Sequence, residues 1–380
     1  MEGNVPEIRL KGFTGAWVQR KLGDILKVNS GRDYKHLNYG DIPVYGTGGY
    51  MLSVNDSLSE EDAIGIGRKG TIDKPQFLKA PFWTVDTLFF ITPKPNNDLS
   101  FLFALSQDIE WAKLDESTSI PSLSKTNIDS ILRYVPEFDE QTAIGEFFRT
   151  LDENITLHKQ KLDGLRKLKK GYLQQMFPQT GEIVPKVRLK GFTKPWTERK
   201  LSNSKDIRDG THDSPKFYEH GHPLVTSKNL TETGLDMTNT SFISSDDFEL
   251  INKRSKVDVG DIIFGMIGTI GNPVIVDRDD FAIKNVALIK NGGGIPNIFL
   301  IQHLKTHIFE NYIHIENAGN TQKFLSLGKI RDYTLLTPSC EEMTLIGNFL
   351  HNIDRQITAQ HQKVEQLKEL KAAYLQKMFV

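Results

Sequence analysis

The 380-residue sequence has one cysteine, Cys340, so it can build neither an internal disulfide nor a cysteine-based zinc site. A chain this poor in cysteine is expected in a reducing cytosol. It has no uninterrupted apolar run long enough to cross a bilayer, and its opening residues, MEGNVPEIRL, lack the apolar core of a signal peptide. A cytoplasmic protein with no membrane partner is therefore expected. Charge of one sign is missing too: 47 Lys and Arg against 48 Asp and Glu leave a formal net charge of −1. No global basic field announces nucleic acid, so such a role would need local basic faces. Catalytic signatures are also lacking. There is no Asn-Pro-Pro-aromatic tetrad, no G-x-S-x-G, no H-E-x-x-H and no cluster of carboxylates with lysine. These absences favour recognition over catalysis.

What the sequence does contain is a restart. IRLKGFTGAWVQRKL at 8–22 returns as VRLKGFTKPWTERKL at 187–201, and twelve of the eighteen positions in 5–22 recur 179 residues later. Residues 142–177 return at 344–379 with seventeen of thirty-six identities, at an offset of 202. One long unit is thus used twice: a lead-in, a region of more than 100 residues, and a helical tail. Two copies are too few for a solenoid and point to a pseudo-two-fold molecule, in effect a dimer within one chain. The middles have diverged, although Gly70-Thr71-Ile72 lines up with Gly268-Thr269-Ile270, LFFI at 88–91 with VALI at 286–289, and SLSK at 122–125 near FLSLGK at 324–329.

The tails carry heptads. Phe148, Ile155, Leu162, Lys169 and Met176 fall at one seam position, and Ile144, Leu151, His158, Leu165 and Tyr172 at the other. The second tail repeats this frame with Leu350, Ile357, Val364, Lys371 and Met378, and with Ile346, Ile353, Gln360, Leu367 and Tyr374. Both seams are interrupted by polar residues at the same places, which predicts that the tails pair with each other, antiparallel given the pseudo-symmetry. Packing of each helix on its own domain is the alternative. About 37 residues of helix reach roughly 55 Å, more than one turn of B-DNA at roughly 34 Å.

The middles read as mixed α/β. Strand-like runs occupy 42–47, 63–67, 87–92, 261–268, 272–276 and 286–290, and helical runs 99–111 and 297–311. The fold class is α/β (α+β): two pseudo-symmetric mixed domains joined by two long helices forming an antiparallel coiled coil. The expected boundaries are 1–138, 139–178, 179–338 and 339–380. Basic and aromatic groups sit on glycine-rich loops, a composition suited to phosphates and base edges, or simply to a solvated loop. In the first region the candidates are Arg32, Lys35 and Tyr45, then Arg68, Lys69 and Lys74 in a loop without P-loop spacing, and Lys125. In the second they are His212, Lys216, Lys228 and Asn229, with Asn320, Gln322 and Lys323 further on. His212, His220 and His222 match no standard zinc spacing, so no metal is expected. Residues 158–171 carry six Lys or Arg against one Asp, either a solvated helix face or a phosphate-facing stripe.

The duplicated RLKGFT…W…RKL lead-ins, the DGTHDSPKF…PLVTSKNL stretch within 208–230, GDIIFGMIGTIG at 260–271 and the twin tails together resemble the specificity (S, HsdS) subunit of bacterial Type I restriction-modification systems. The resemblance covers essentially the whole chain. It implies that each middle is a target recognition domain reading half of a bipartite, asymmetric site in double-stranded DNA. It further implies that the coiled coil sets the spacer and docks two methyltransferase (M) subunits. Those subunits would bind S-adenosylmethionine and methylate adenine N6, while restriction (R) subunits would use ATP and Mg²⁺; no cofactor would belong to this chain. The first region departs from the pattern, opening with VNSGRDYKHLNYG instead of a DGTH form, so its half-site cannot be inferred from the second. Two rivals stand beside this reading: a combined restriction–methylation polypeptide, weakened by the missing motifs, and a scaffold whose twin modules bind proteins.

Overall fold

A computed structural model describes residues 5–115, 117, 119–232, 234–317 and 324–380. The chain forms two compact units, one comprising Met1–Lys159 and Lys363–Val380, the other Gln160–Gln362. Both are built on the same plan. In the first, a four-stranded antiparallel sheet runs in the order Leu26–Ser30, Leu88–Pro93, Ala63–Gly67, Gln76–Leu78. In the second the order is Ile207–Asp209, Val286–Ile289, Ile262–Gly265, Gly271–Ile275. Each unit adds a three-stranded sheet with one parallel pair: Gly49–Val54, Tyr39–Gly46 and Trp83–Thr84, matched by Ser241–Ile243, His222–Val225 and Ala282–Ile283. A two-stranded ribbon ties each lead-in to the end of its region, Val18–Lys21 with Leu132–Val135 and Thr197–Lys200 with Thr334–Thr337. The central strands are continuous apolar runs, and Ala63–Gly67 and Ile262–Gly265 are buried along their whole length.

The helical run at 297–311 divides into Asn297–Leu304 and His307–Glu316. Thr306 takes extended backbone between them and its hydroxyl donates to the His303 carbonyl at 2.7 Å, a local bond that competes with helix continuation. The strand-like run at 261–268 stops at Gly265, after which the chain turns through Gly268 in the left-handed region.

The long helices are Phe138–Gln175 and Cys340–Met378, of 38 and 39 residues. Each opens with two acidic residues in its first turn, which suits the helix dipole. Their pairing is antiparallel within each unit. In the first, Ile144 and Phe148 near the start of one helix share a core with Met378 and Phe379 at the end of the other. In the second, Leu162, Leu165, Tyr172 and Leu173 pack with Ile346, Leu350, Ile353 and Ile357. Aromatic pairs repeat at the 202-residue offset: Phe147 meets Tyr374 edge-on at 5.0 Å, and Tyr172 meets Phe349 at 4.9 Å. Ile155 and Val364 are buried, as are Leu151 and the other apolar seam positions, with Leu165 and Leu367 half-buried.

The lysines that interrupt the seam find aspartates on the facing helix. In the second unit Lys169 pairs with Asp354, which also accepts from Gln302 at 2.9 Å. In the first unit Lys371 pairs with Asp152 at 2.5 Å. Burial opposes ionisation of Asp354, but Lys305 and Lys169 outweigh it and hold the carboxyl below the usual carboxylate range.

The repeated words of the sequence now have physical jobs. The arginine of RLKGFT grips the glutamate that opens a long helix through two hydrogen bonds: Arg9 to Glu140 at 2.7 Å each, Arg188 to Glu342 at 2.7 and 2.8 Å. The lead-in tryptophans are core residues. Trp17 packs against Phe101 and Phe379, and Trp196 against Phe177 and Phe299. The glycine of each tail's IG motif lets another helix approach. A Cβ on Gly145 would meet the Phe101 nitrogen at 2.6 Å, and one on Gly347 the Ile298 Cγ2 at 2.7 Å.

Two outcomes are expected. Arg188→Ala leaves the carboxylate of Glu342, only 1 % exposed, without its partner and should cost the second unit about 3–5 kcal/mol in denaturant unfolding; a loss below 1 kcal/mol would contradict this. His303 is fully enclosed, bonded through Nε2 to the Tyr333 hydroxyl at 2.7 Å, and burial pushes its pKa down to about 4. An unfolded histidine titrates near 6.5, so the neutral ring's contribution is complete above that pH and is lost as pH falls through about 4, roughly 3 kcal/mol in all. His303→Phe should flatten that part of the melting-temperature profile.

Candidate nucleic-acid interface

In the first unit, hydrogen bonds to backbone carbonyls tie several loop segments together. The Arg32 amide donates to the Thr84 carbonyl at 2.8 Å, and Trp83 Nε1 donates to the Arg32 carbonyl at 2.9 Å. The Arg68 amide donates to Thr87 at 2.8 Å, while the Arg68 carbonyl accepts from Leu123 at 3.0 Å. The Gly70 amide donates to Pro121 at 2.9 Å, and Gln76 Nε2 donates to the carbonyls of Gly46 and Thr47 at 3.0 and 3.1 Å. A cleft lined by Asp33, Tyr34, Lys35, the Gly46–Met51 hairpin tip and Val85–Thr87 opens among them.

The side chains of Arg32, Lys35, Arg68, Lys69 and Lys74 are exposed on these segments, and Lys125 is exposed at the start of the helix Lys125–Ser130. Tyr45 is different. It packs half-buried against two apolar clusters and acts as a framework residue, because its position in the Tyr39–Gly46 strand turns it inward. Its cross-strand partner Tyr50 is 63 % exposed and lines the cleft, so Tyr50 replaces Tyr45 as the aromatic candidate.

The second unit repeats this frame. The Thr211 amide donates to Ile283 at 3.0 Å and the Leu325 amide to Met266 at 2.9 Å, matching the bonds of Arg32 and Leu123. The DGTH stretch forms a hydrogen-bonded cluster: His212 Nε2 lies 3.0 Å from Asp209 Oδ2, and its Nδ1 lies 2.9 Å from Asn285 Oδ1. Arg254 binds the other oxygen of Asp209. Burial opposes ionisation of Asp209, yet Arg254 and His212 hold its carboxyl below the usual range. Lys216 is exposed and lies 5.5 Å over the Tyr218 ring, and Lys228 is exposed on the short turn Ser227–Asn229.

Asn229 corrects an expectation. It is buried, with Oδ1 accepting from the Thr226 amide at 2.9 Å and Nδ2 donating to the Asp236 carbonyl at 3.1 Å. Its amide is consumed by the turn and offers no edge to a base. The three histidines also part company, since His222 stacks on Phe248 at 4.0 Å while His212 serves the DGTH cluster. Among the described residues no group of three or more His, Cys, Asp or Glu could hold a metal, and no helix is long and apolar enough to cross a membrane. Asn320, Gln322 and Lys323 lie outside the described residues. The basic stretch 158–171 is less free than its composition implies: Arg166 binds Glu232 at 2.9 Å and Lys169 belongs to the seam.

The same framework thus appears twice with unlike side chains on its loops. The family described as Type I restriction modification DNA specificity domain matches residues 15–167 and again 186–369. The chain belongs to that family. Among solved structures, the S subunit of a Type I restriction-modification system from M. genitalium matches at a TM-score of 0.74, with 15 % identity over 99 % of each chain. A chain from work on complex assembly and conformational transition of the type I R-M system matches at 0.52, with 16 % identity over 95 % of this chain and 97 % of that one. At such identities the likeness is one of fold.

Asn229→Ala should destabilise the second unit by about 1–3 kcal/mol, because it orphans the Thr226 amide and the Asp236 carbonyl. An unchanged thermal midpoint would return Asn229 to the list of free polar groups.

Proposed function

We propose that this chain is the DNA-reading subunit of a Type I restriction-modification complex. Each unit reads one half of a bipartite, asymmetric site, and the paired helices fix the gap between the halves. The observation that carries this reading is the twin framework: two family-matched regions share sheet order and loop anchoring while their exposed loop residues differ. A common scaffold with altered loops is how one fold comes to read different targets. Dissimilar halves then require an asymmetric site.

On this reading the chain performs no chemistry. Two methyltransferase subunits dock on the helical region, bind S-adenosylmethionine and take the target adenine out of the stack, so the reader need only hold the duplex in register. Restriction subunits supply ATP- and Mg²⁺-dependent cleavage. The work takes place where bacterial DNA lies, in the cytoplasm.

Replacing residues 23–135 with the corresponding region of another such subunit should change one half of the methylated motif and leave the other intact. Sequencing methylated adenines in cells carrying the chimera with its methyltransferase reads this directly; an unaltered motif would refute the assignment. Inserting four residues beside Gly164, which is exposed on the first long helix, should alter the gap length or abolish activity.

A further inference from the structure

The segment Gly67–Ile72 of the first unit and Gly265–Ile270 of the second share a G-x-x-G-T-I pattern and one backbone form. In each, a Cβ on the first glycine would collide with the carbonyl oxygen of the threonine, Thr71 or Thr269. In each, the second glycine has positive φ, 89° at Gly70 and 75° at Gly268. The first variable residue is pinned identically. The Arg68 amide donates to Thr87 and its carbonyl accepts from Leu123; the Met266 amide donates to Asn285 at 3.2 Å and its carbonyl accepts from Leu325.

The two variable side chains are opposites. Met266 is 1 % exposed and Ile267 packs half-buried against the core of the second unit. Arg68 and Lys69 are both exposed, with the Arg68 guanidinium 5.8 Å over the Phe89 ring. Among the described residues neither binds a carboxylate, and neither does Arg32; Arg20, Arg199 and Arg355 share that state, whereas Arg9, Arg188, Arg208, Arg254 and Arg278 are paired. Exposed cations on loops that hydrogen bonds draw together are available to an external anion.

We propose that Arg68 and Lys69, assisted by Arg32, form a phosphate clamp on the DNA backbone of the first half-site, in a slot that the second unit has filled with apolar side chains. The clamp rests on the DNA-reading role proposed above and adds a division of labour: this loop contributes affinity and salt dependence, not base identity. Phosphate contacts of this kind position a protein without carrying sequence information.

The test uses the full chain assembled with its methyltransferase subunits on its mapped site. Arg68→Met with Lys69→Ile should reduce the slope of log affinity against log salt by about two, close to 0.9 per phosphate lost, and leave the methylated motif unchanged. Arg68→Lys with Lys69→Arg should retain the slope, which separates charge from fold. An unchanged slope in the Met/Ile variant would overturn the clamp, and so would an altered base preference in one half-site. If the wild-type complex shows no site-specific methylation, the DNA-reading role itself fails and the clamp falls with it.

Discussion

Each unit is completed by a helix end that arrives from the other repeat. In the second unit the end of the first long helix brings Phe177 against Trp196, and the Val187 amide donates to the Gln175 carbonyl at 2.9 Å. In the first unit the last residues of the chain do the same: Phe379 lies against Trp17, and the Ile8 amide donates to the Lys377 carbonyl at 2.9 Å. One arrangement is reached by a continuous chain, the other by closing the termini on each other. Antiparallel pairing makes this possible, since only then does the start of one helix lie beside the end of its partner. The Lys169–Asp354 and Lys371–Asp152 pairs select that register. Sliding either helix would leave a lysine in an apolar seam without its aspartate.

The frame was legible in the sequence because repetition and periodicity encode it. The heptad positions from Ile144 to Leu367 are the seam, and the aligned Gly-Thr-Ile triplets occupy equivalent turns. The central strands read correctly because a short, wholly buried strand is an unbroken apolar run. Side-chain direction was harder. Tyr45 and Tyr50 are equally aromatic, both lie near glycines and they pair across one hairpin, so only the apolar clusters packed on Tyr45 make Tyr50 the exposed one of the two. Asn229 looked like a reader because its partners, the Thr226 amide and the Asp236 carbonyl, are backbone groups that no pattern of side chains reveals. Lys169 belonged by composition to a basic stripe and by geometry to the seam.

The division between shared frame and private loops has an energetic logic. The groups common to both units are buried and costly to alter: the Arg–Glu forks, the packed tryptophans and the glycines at close approaches. The groups that differ are mostly solvent-exposed, where exchange disturbs the fold little. The DGTH cluster is the exception. It ties His212, Asp209, Asn285 and Arg254 together in the second unit, so that unit's loop is held by bonds between side chains where the first unit uses the hydrogen bond from Trp83 Nε1 to the Arg32 carbonyl.

The most direct test of the account is a genome-wide map of methylated adenines in cells carrying this chain with its methyltransferase partner. The proposed pair of unlike readers predicts a single asymmetric motif of two defined parts separated by a gap of constant length. A continuous or palindromic motif, or methylation independent of this chain, would contradict it.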